Sequence, residues 1–307
     1  KDKKSVKYAK TIKAEELKEK LYVYASDEFE GRGTLTKGQE LAVKFLENHY
    51  VSNNINPLQE GTYFQTVLPP KRFEKWWSNS DIKPKNVVAF IEGEKYPNEY
   101  IIISAHLDHV GVQDGKIYNG ADDDGSGTVA VLEIAEAFNE AAKNGHTPKR
   151  SIVFLHVTAE EMGLIGSRYY TENPIVPLKN TITNLNVDMI GRTDPKRPKR
   201  NRDYIYLIGS DKISTELHNI SEEINDEKDT LTCFNFGSNP SREYSYVPNI
   251  SEEHGDFEKE RRYTRPSLSS NGTQSVGLLL NGIFPDNKAN TIIPNDHTST
   301  LKVYESC

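Results

Sequence analysis

Short apolar runs recur along the chain, and each is bounded by polar or turn-forming residues. Such runs are typical of strands that are buried on both faces. Between several of them lie segments whose apolar residues recur every three or four positions, which predicts helices. This alternation predicts an α/β fold with a mostly parallel central sheet flanked by helices. The predicted strands are Asn86–Glu92, Tyr100–Ser104, Ser151–Val157, Thr181–Val187, Tyr204–Gly209 and Ser275–Leu280, and the predicted helices are Thr11–Tyr24, Lys37–Tyr50 and one beginning at Ser126.

Three of the predicted strands end in histidine or carboxylate side chains. The strand from Tyr100 runs into His106-Leu-Asp-His, the next into Glu160-Glu161, and the third into Asp188, while the turn Asp122-Asp-Asp precedes a helix. Because the carboxyl ends of parallel strands share one edge of a sheet, these groups are expected to converge there. Histidine nitrogens and carboxylate oxygens are zinc ligands, so the pattern predicts one metal site, with His106, Asp123, Glu161 and Asp188 as candidate ligands.

The residues beside these candidates suggest supporting roles. Adjacent side chains at a strand end face different ways, so Glu160 is free to act as general base while Glu161 binds metal. Asp108 is expected to accept a hydrogen bond from the second ring nitrogen of His106 and to fix its tautomer. Taken alone, the three aspartates would more often form a turn or a helix cap than a metal site. His109 is expected near the site but is not predicted as a ligand.

Composition narrows the function. A net charge of −7 and a pI near 5.7 argue against nucleic acid as the main partner. No apolar run approaches the roughly 20 residues that a membrane span needs, and the charged start of the chain holds no apolar signal core. Cys233 and Cys307 allow either one disulfide or two free thiols. Without an internal repeat or a Pro-, Gly- or Ser-rich linker, one domain over residues 1–307 is predicted, with residues 1–25 as an N-terminal tail and helix.

Four motifs, HLDHVG, NGADDDGSG, TAEEMGLIGSRYY and NVDMIGR, occur in this order. Together with the earlier GRGTLTKGQELAVKFL, they resemble the M28 family of zinc aminopeptidases over roughly residues 20–225. The order and spacing of the motifs are highly specific. No protease-associated insert precedes the first metal strand, so the resemblance is to the compact form of the family. It also implies a secreted or periplasmic location.

The resemblance implies two zinc ions per chain and peptide substrates with a free N-terminus. His106 and Asp188 would bind one ion, Glu161 the other, and Asp123 would bridge them. Glu160 would be the general base for a zinc-bound water that hydrolyses the N-terminal peptide bond. The resemblance weakens after about residue 230, where the family supplies a fifth ligand, a histidine near the C-terminus. Its expected position falls on Lys288, and the nearest histidine, His297, is the candidate.

Three other readings stay open at this point. A glutaminyl cyclase-like enzyme would keep a single zinc and lack a histidine at position 106. A binding module of the same fold would have lost the metal, and a carboxypeptidase would require a substrate carboxylate. His106 and Asp108 favour two metals and hydrolysis over the cyclase. Retention of all four strand-end ligands and of Glu160 speaks against the binding module, whereas the mismatch at the fifth ligand position speaks for it. The preferred N-terminal residue and the oligomeric state are not indicated by the sequence.

Overall fold

The fold is built on a mixed β-sheet, and helices pack against it. The computed structural model describes residues 3–192, 204–208, 214–226, 232–236 and 300–304. Within them, nine strands form one sheet in the order β1-β3-β7-β4-β8-β11-β9-β10, with β2 also pairing with β3, and β5 and β6 form a separate hairpin. The strands are β1 Asn56–Pro57, β2 Phe64–Thr66, β3 Lys85–Ile91, β4 Tyr96–His106, β5 Gly111–Gln113, β6 Lys116–Tyr118, β7 Arg150–Val157, β8 Thr181–Asp188, β9 Tyr204–Ile208, β10 Thr232–Phe236 and β11 Thr300–Tyr304.

Helices flank this sheet, and the three helices predicted from the sequence are among them. The helices are α1 Lys3–Ala9, α2 Ala14–Tyr24, α3 Lys37–Asn53, α4 Glu74–Ser78, α5 Gly127–Lys143, α6 Ile165–Glu172 and α7 Thr215–Asp226. Among the described residues, none of the helices is both long enough and apolar enough to cross a membrane.

The α/β class is confirmed, but the expectation of a mostly parallel sheet is only partly right. Strand β4 runs parallel to both β7 and β8, and β9 runs parallel to β10 and β11. In contrast, β3 is antiparallel to β7, and β11 is antiparallel to β8. The parallel direction therefore holds in the three central strands that carry the predicted ligands.

The register of these three strands aligns their carboxyl ends. His106 of β4 lies opposite Val157 of β7, and Ser104 lies opposite Asn186 of β8. Two residues further along β8 comes Asp188, level with His106, while Glu160 follows three residues after Val157. The predicted side chains thus meet at one edge because the strands are parallel and in step.

Alternating side chains of the strands feed two apolar layers, as the pleat requires. Ile103 and Phe154 face the large core under α2, α3 and α5, whereas Ile102 and Val153 face a smaller cluster that includes Tyr170 of α6. Helix α5 is buried along most of its length and starts three residues after Asp124. The aspartate turn is therefore held between the sheet edge and the start of a core helix.

Some predictions fall differently or outside the described residues. After β8, the predicted strand Tyr204–Gly209 corresponds to β9, whereas α7, β10 and β11 were not predicted. The predicted strand Ser275–Leu280 lies outside the described residues, as do Lys288, His297 and Cys307.

Candidate metal centre

His106 stands at the end of β4 with its ring buried against the sheet edge. Its Nδ1 is 3.0 Å from the backbone oxygen of Asp108, so this nitrogen donates to a carbonyl. The expected carboxylate partner is farther away, with Asp108 Oδ1 at 3.9 Å. Nε2 points the other way, 2.9 Å from Asp123 Oδ1 and 4.0 Å from Asp188 Oδ1. The tautomer is thus set for Nε2 to face the carboxylates, but by main chain and not by the Asp108 side chain.

The carboxylate of Asp108 has a different task in this structure. It is fully buried, with Oδ1 accepting from the backbone N–H of Glu160 at 3.0 Å and Oδ2 from the hydroxyl of Thr34 at 3.2 Å. Asp108 therefore ties the end of β4 to the segment that follows β7, which positions Glu160. The expected hydrogen bond from the His106 ring to this carboxylate is not present, because the carboxylate accepts from Glu160 and Thr34 instead.

The three consecutive aspartates face different ways. Asp122 and Asp124 are fully buried, whereas the Asp123 side chain is 29% exposed and faces the site. Asp124 accepts from the backbone N–H of His106 at 3.0 Å, of Gly127 at 3.0 Å and of Met189 at 3.2 Å. The outer two aspartates hold the turn in place, so the middle one is presented to the strand ends.

Two groups of possible ligands share Asp123. One consists of His106, Asp123 and Asp188, and the other of His109, Asp123 and Glu161. Within each group the ligand atoms lie within 4.8 Å of one another. All four strand-end ligands predicted from the sequence are thus brought together, with Asp123 in the shared position. Glu160 lies close enough for its negative charge to raise the pKa of His106.

His109 was not predicted as a ligand, yet the structure includes it in the second group. It is 7% exposed, and its Nδ1 lies 2.7 Å from Glu161 Oε1. A second histidine three residues after His106 was the signal in the sequence. Pattern alone could not show that the chain turns after Leu107 and returns this ring to the same edge.

Electrostatics at the site reflect crowded carboxylates. Burial lowers the pKa of His106, but the charges of Glu160, Asp123 and Asp124 outweigh it and hold that pKa well above the ordinary value of 6.5. Burial and the nearby Asp188 raise the pKa of the Asp124 carboxyl. The same clustered negative charge that raises these pKa values also attracts a divalent cation.

The donor set fits zinc. Each group offers one imidazole and two carboxylates, which is the three-ligand pattern of catalytic zinc sites. The hydrogen bond from His106 Nδ1 to a carbonyl is the orienting partner that metal-bound histidines have.

Two buried residues outside this centre pack in the core. His156 is buried with its Nε2 2.7 Å from the hydroxyl of Tyr50. Trp77 is buried beside Ala159 and Ile165, whereas Trp76 is exposed. The fifth ligand candidate, His297, lies outside the described residues.

The fold and the paired ligand groups together define the class as an α/β protein with a candidate zinc centre at the carboxyl edge of its sheet. The sequence model of peptidase family M28 matches residues 86–242, just over half of the chain and the part that carries the centre. The chain belongs to peptidase family M28.

The relatives are named for different peptidase activities. A probable glutamate carboxypeptidase of Arabidopsis thaliana, LAMP1, is 37% identical over 107 residues, which are 34% of this chain and 15% of that protein. The aminopeptidase NAALADL1 of Rattus norvegicus is 39% identical over 106 residues, again 34% of this chain but 13% of that protein. The chain thus matches only a small part of the length of these curated relatives.

Solved structures share the fold. LapB from Legionella pneumophila superposes with a TM-score of 0.56 at 19% identity, covering 77% of this chain and 58% of that one. The glutaminyl cyclase of Porphyromonas gingivalis gives a TM-score of 0.56 at 16% identity, covering 74% of this chain and 76% of that one. At these identities the likeness concerns the fold alone, and it includes proteins of different named activities.

Proposed function

We propose that this chain is a dinuclear zinc aminopeptidase that hydrolyses the N-terminal residue from peptides. The observation that carries the proposal is the pair of ligand groups that share Asp123 at the ends of β4, β7 and β8. His106, Asp123 and Asp188 would hold one ion, and Asp123 and Glu161 would contribute to the other. Membership of peptidase family M28 supports peptide substrates.

The chain's own groups then account for proton movement. When bound, the ions supply Lewis-acid polarisation of the scissile carbonyl and lower the pKa of water. Glu160 takes the proton from the attacking water and returns it to the leaving amine. Its backbone is tethered at 3.0 Å to Asp108, so the carboxylate starts from a fixed position beside the ligands. Because this hydrogen bond already fixes the backbone of Glu160, less conformational entropy is lost when its carboxylate takes up the reactive position.

The direction of cleavage is supported by a relative and by the carboxylate of Glu160. The aminopeptidase NAALADL1 of Rattus norvegicus is 39% identical over 106 residues of this chain. With both ions bound, Asp123 and Glu161 would be ligands whose charge the ions offset, whereas Glu160 is not proposed as a ligand and would keep a negative charge beside the centre for a substrate ammonium group.

Two blocked peptides test the direction of cleavage. A tetrapeptide with a free N-terminus and an amidated C-terminus should be shortened from its N-terminus, while an N-acetylated peptide with a free C-terminus should stay intact. The opposite result would establish a carboxypeptidase. Conversion of an N-terminal glutamine peptide to pyroglutamate without hydrolysis would instead establish a cyclase, an activity for which a protein of the same fold is named.

Glu160→Gln tests the general base. Because glutamine cannot accept the water proton, kcat should fall by about 100- to 10,000-fold. Zinc content should remain unchanged, since the neutral amide replaces a group that is not proposed as a ligand. Glu172→Gln, at the exposed end of α6, is the matched control and should keep full activity. Loss of zinc together with activity would show that Glu160 is a ligand.

Two further proposals rest on resemblance alone. We place the protein outside the cytoplasm, secreted or periplasmic, which cell fractionation with antibodies against the chain would test. We also propose that residues 1–307 form one zinc peptidase domain. Limited proteolysis that released a stable fragment retaining zinc would contradict that.

A further inference from the structure

We infer that an aromatic ridge, formed by Phe73 and Trp76, is a subsite for apolar side chains that follow the scissile bond of the peptide. The ridge belongs to residues 68–83, which connect β2 to β3 and contain α4. The inference rests on the proposed aminopeptidase function and adds to it a preference on the leaving side of the substrate.

Strand direction brings this segment to the edge of the sheet that carries the metal centre. Because β3 is antiparallel to β7, the start of β3 lies at the same edge as the end of β7. The backbone N–H of Val67 donates to the carbonyl of Pro84 at 2.9 Å, which closes the segment at its base. The side chain of Asn86 accepts from the backbone N–H of Thr158 at 3.0 Å and donates to the carbonyl of Gly166 at 3.0 Å. The segment therefore leaves and rejoins the sheet beside the turn between these last two residues, which carries the candidate general base.

Contacts on both sides of the Glu160–Glu161 pair fasten the segment to that turn. Trp77 is buried in a cluster with Ala159, the residue before the pair, and Met162, the residue after the pair, packs against the same cluster. Phe73 of the ridge is partly buried against it too. Arg72 donates from Nη2 to the carbonyl of Met162 at 3.4 Å. The ridge is thus attached to the residues on either side of the candidate base and its neighbouring ligand.

Trp76 keeps its ring at the surface, although its neighbour Trp77 is buried. The two residues are 48% and 3% exposed. The centroid of the Trp76 ring lies 6.3 Å from that of Phe73 and 6.2 Å from that of Trp77, both in edge-on contacts. An exposed apolar side chain is common by itself. This one is held by two aromatic neighbours at the edge that carries the centre, so a ligand that covers it loses little further side-chain entropy.

The proposed mechanism decides which part of the peptide reaches the ridge. Only one residue precedes the scissile bond in an aminopeptidase substrate, so the rest of the peptide lies on the leaving side. Glu160 returns its proton to the leaving amine, which must therefore come within hydrogen-bond reach of its carboxylate. The peptide continues from that nitrogen past the residues that flank Glu160, to which the ridge is attached.

The charges beside the ridge argue against basic side chains at this subsite. Lys71, Arg72 and Lys75 are exposed on the same segment, with Glu74 as the one exposed acidic residue among them. The local excess of positive charge repels lysine and arginine. An aromatic or aliphatic side chain is the occupant that fits both the ring and its surroundings.

Three peptide amides test the subsite in the full-length, zinc-loaded protein. They share the N-terminal residue that wild type cleaves fastest, followed by Phe-Phe, Gly-Gly or Lys-Lys. In wild type, kcat/KM should be about 10-fold higher for the Phe-Phe than for the Gly-Gly peptide, because a phenylalanine side chain covers part of the indole. The Lys-Lys peptide should be cleaved least well. In Trp76→Ala the ratio of kcat/KM for Phe-Phe over Gly-Gly should fall to about 2 or less, whereas Trp76→Phe should keep most of it.

Tyr96→Ala is the matched control. It removes an exposed aromatic ring at the opposite end of β4 from His106, and it should keep the wild-type ratio. A tryptophan that only supports the fold would lower kcat/KM for all three peptides equally. An unchanged ratio in Trp76→Ala, or no preference for Phe-Phe in wild type, would therefore overturn the inference.

Tryptophan fluorescence reports on the subsite without turnover. The chain contains two tryptophans, and Trp77 is already buried, so a change in emission reports mainly on Trp76. Binding of the Phe-Phe peptide to zinc-loaded Glu160→Gln should shift the emission maximum to shorter wavelength, and adding Trp76→Phe should abolish the shift. No shift, or a shift that survives Trp76→Phe, would overturn the inference. The same shift in a wild type that cleaves none of the peptides would support the subsite while contradicting the aminopeptidase proposal.

Discussion

At the scale of single residues, identical side chains in one turn have different environments. Asp124 uses both oxygens on three backbone N–H groups, and Asp122 accepts from the backbone N–H of Gly191 at 2.7 Å. Burial raises the pKa of Asp122 to about 8. Asp123 alone keeps its carboxylate directed towards His106 and the candidate ligands. Of these three aspartates, two therefore bond backbone N–H groups around the turn, and one is directed towards the candidate metal ligands.

Because His156 is buried in its neutral form, we expect the unfolding free energy to fall in acid. Burial, aided by the positive charge of His49, lowers the pKa of His156 to about 3, against 6.5 ordinarily. The unfolded chain takes up a proton near pH 6.5 while the folded chain stays neutral, so stability falls as pH drops below about 7. Between pH 7.5 and pH 5 this histidine alone should cost about 2 kcal/mol of unfolding free energy.

The measurement is urea unfolding at both pH values, for wild type and His156→Gln. Glutamine still offers an oxygen to the hydroxyl of Tyr50, which lies 2.7 Å from His156 Nε2, but takes up no proton. The loss of stability on acidification should be smaller in the variant by that amount. An equal loss in both proteins would show that His156 does not titrate on unfolding.

At the scale of elements, a buried arginine joins three segments behind the centre. Arg32 is fully buried, and its guanidinium donates to the carbonyls of Leu107, Tyr24, Asn119 and Gly120 at 2.7–3.1 Å. These carbonyls belong to the end of β4, the end of α2 and the turn before the aspartates. Arg32 also lies over the Tyr24 ring, 4.6 Å from its centroid.

Arg32→Met should destabilise the fold by about 3 kcal/mol or more, because it leaves buried carbonyls without a donor. Zinc affinity should fall about 10- to 100-fold, since the segments that carry His106 and Asp123 lose their common tie. The matched control is Arg150→Gln, because Arg150 also lies over a tyrosine ring but in a pair with Glu99 that is 39% exposed. That change should cost no more than about 1 kcal/mol. Equal losses of unfolding free energy in the two variants would contradict the role of Arg32.

Sequence predicted these elements well where the chain is buried on both faces. The predicted strand Ser151–Val157 corresponds to β7 Arg150–Val157, and the four candidate ligands predicted at the strand ends and in the aspartate turn lie together at one edge of the sheet. The partner of Asp108 and the return of His109 were not predictable in this way. Both depend on how the turn after Leu107 meets the segments around Arg32 and Gly120, which are distant in sequence.

At the scale of the molecule, strand direction was the part that pattern could not supply. Strands β3 and β7 are both apolar and buried but run antiparallel, while β4 and β7 run parallel. A strand covered on both faces has the same composition in either direction, since direction changes hydrogen bonds and not the burial of side chains. The alternation of strands with helices and the ligand-bearing strand ends both indicated parallel central strands, but neither could show that β3 and β11 run antiparallel to their neighbours β7 and β8.

The whole fold should also depend on metal, because the centre joins strands from across the sheet. Asp123, Asp188 and Glu161 are like charges gathered at one edge, and bound cations relieve their repulsion. An ion present at 100 times its Kd adds about 2.7 kcal/mol to the unfolding free energy, which for a chain of this size corresponds to a rise in Tm of about 4 °C. Thermal unfolding with and without a chelator measures this. Asp123→Asn weakens both positions at once, so its Tm should hardly respond to chelator or to added zinc; a wild type equally indifferent to both would show that the centre contributes nothing to folding.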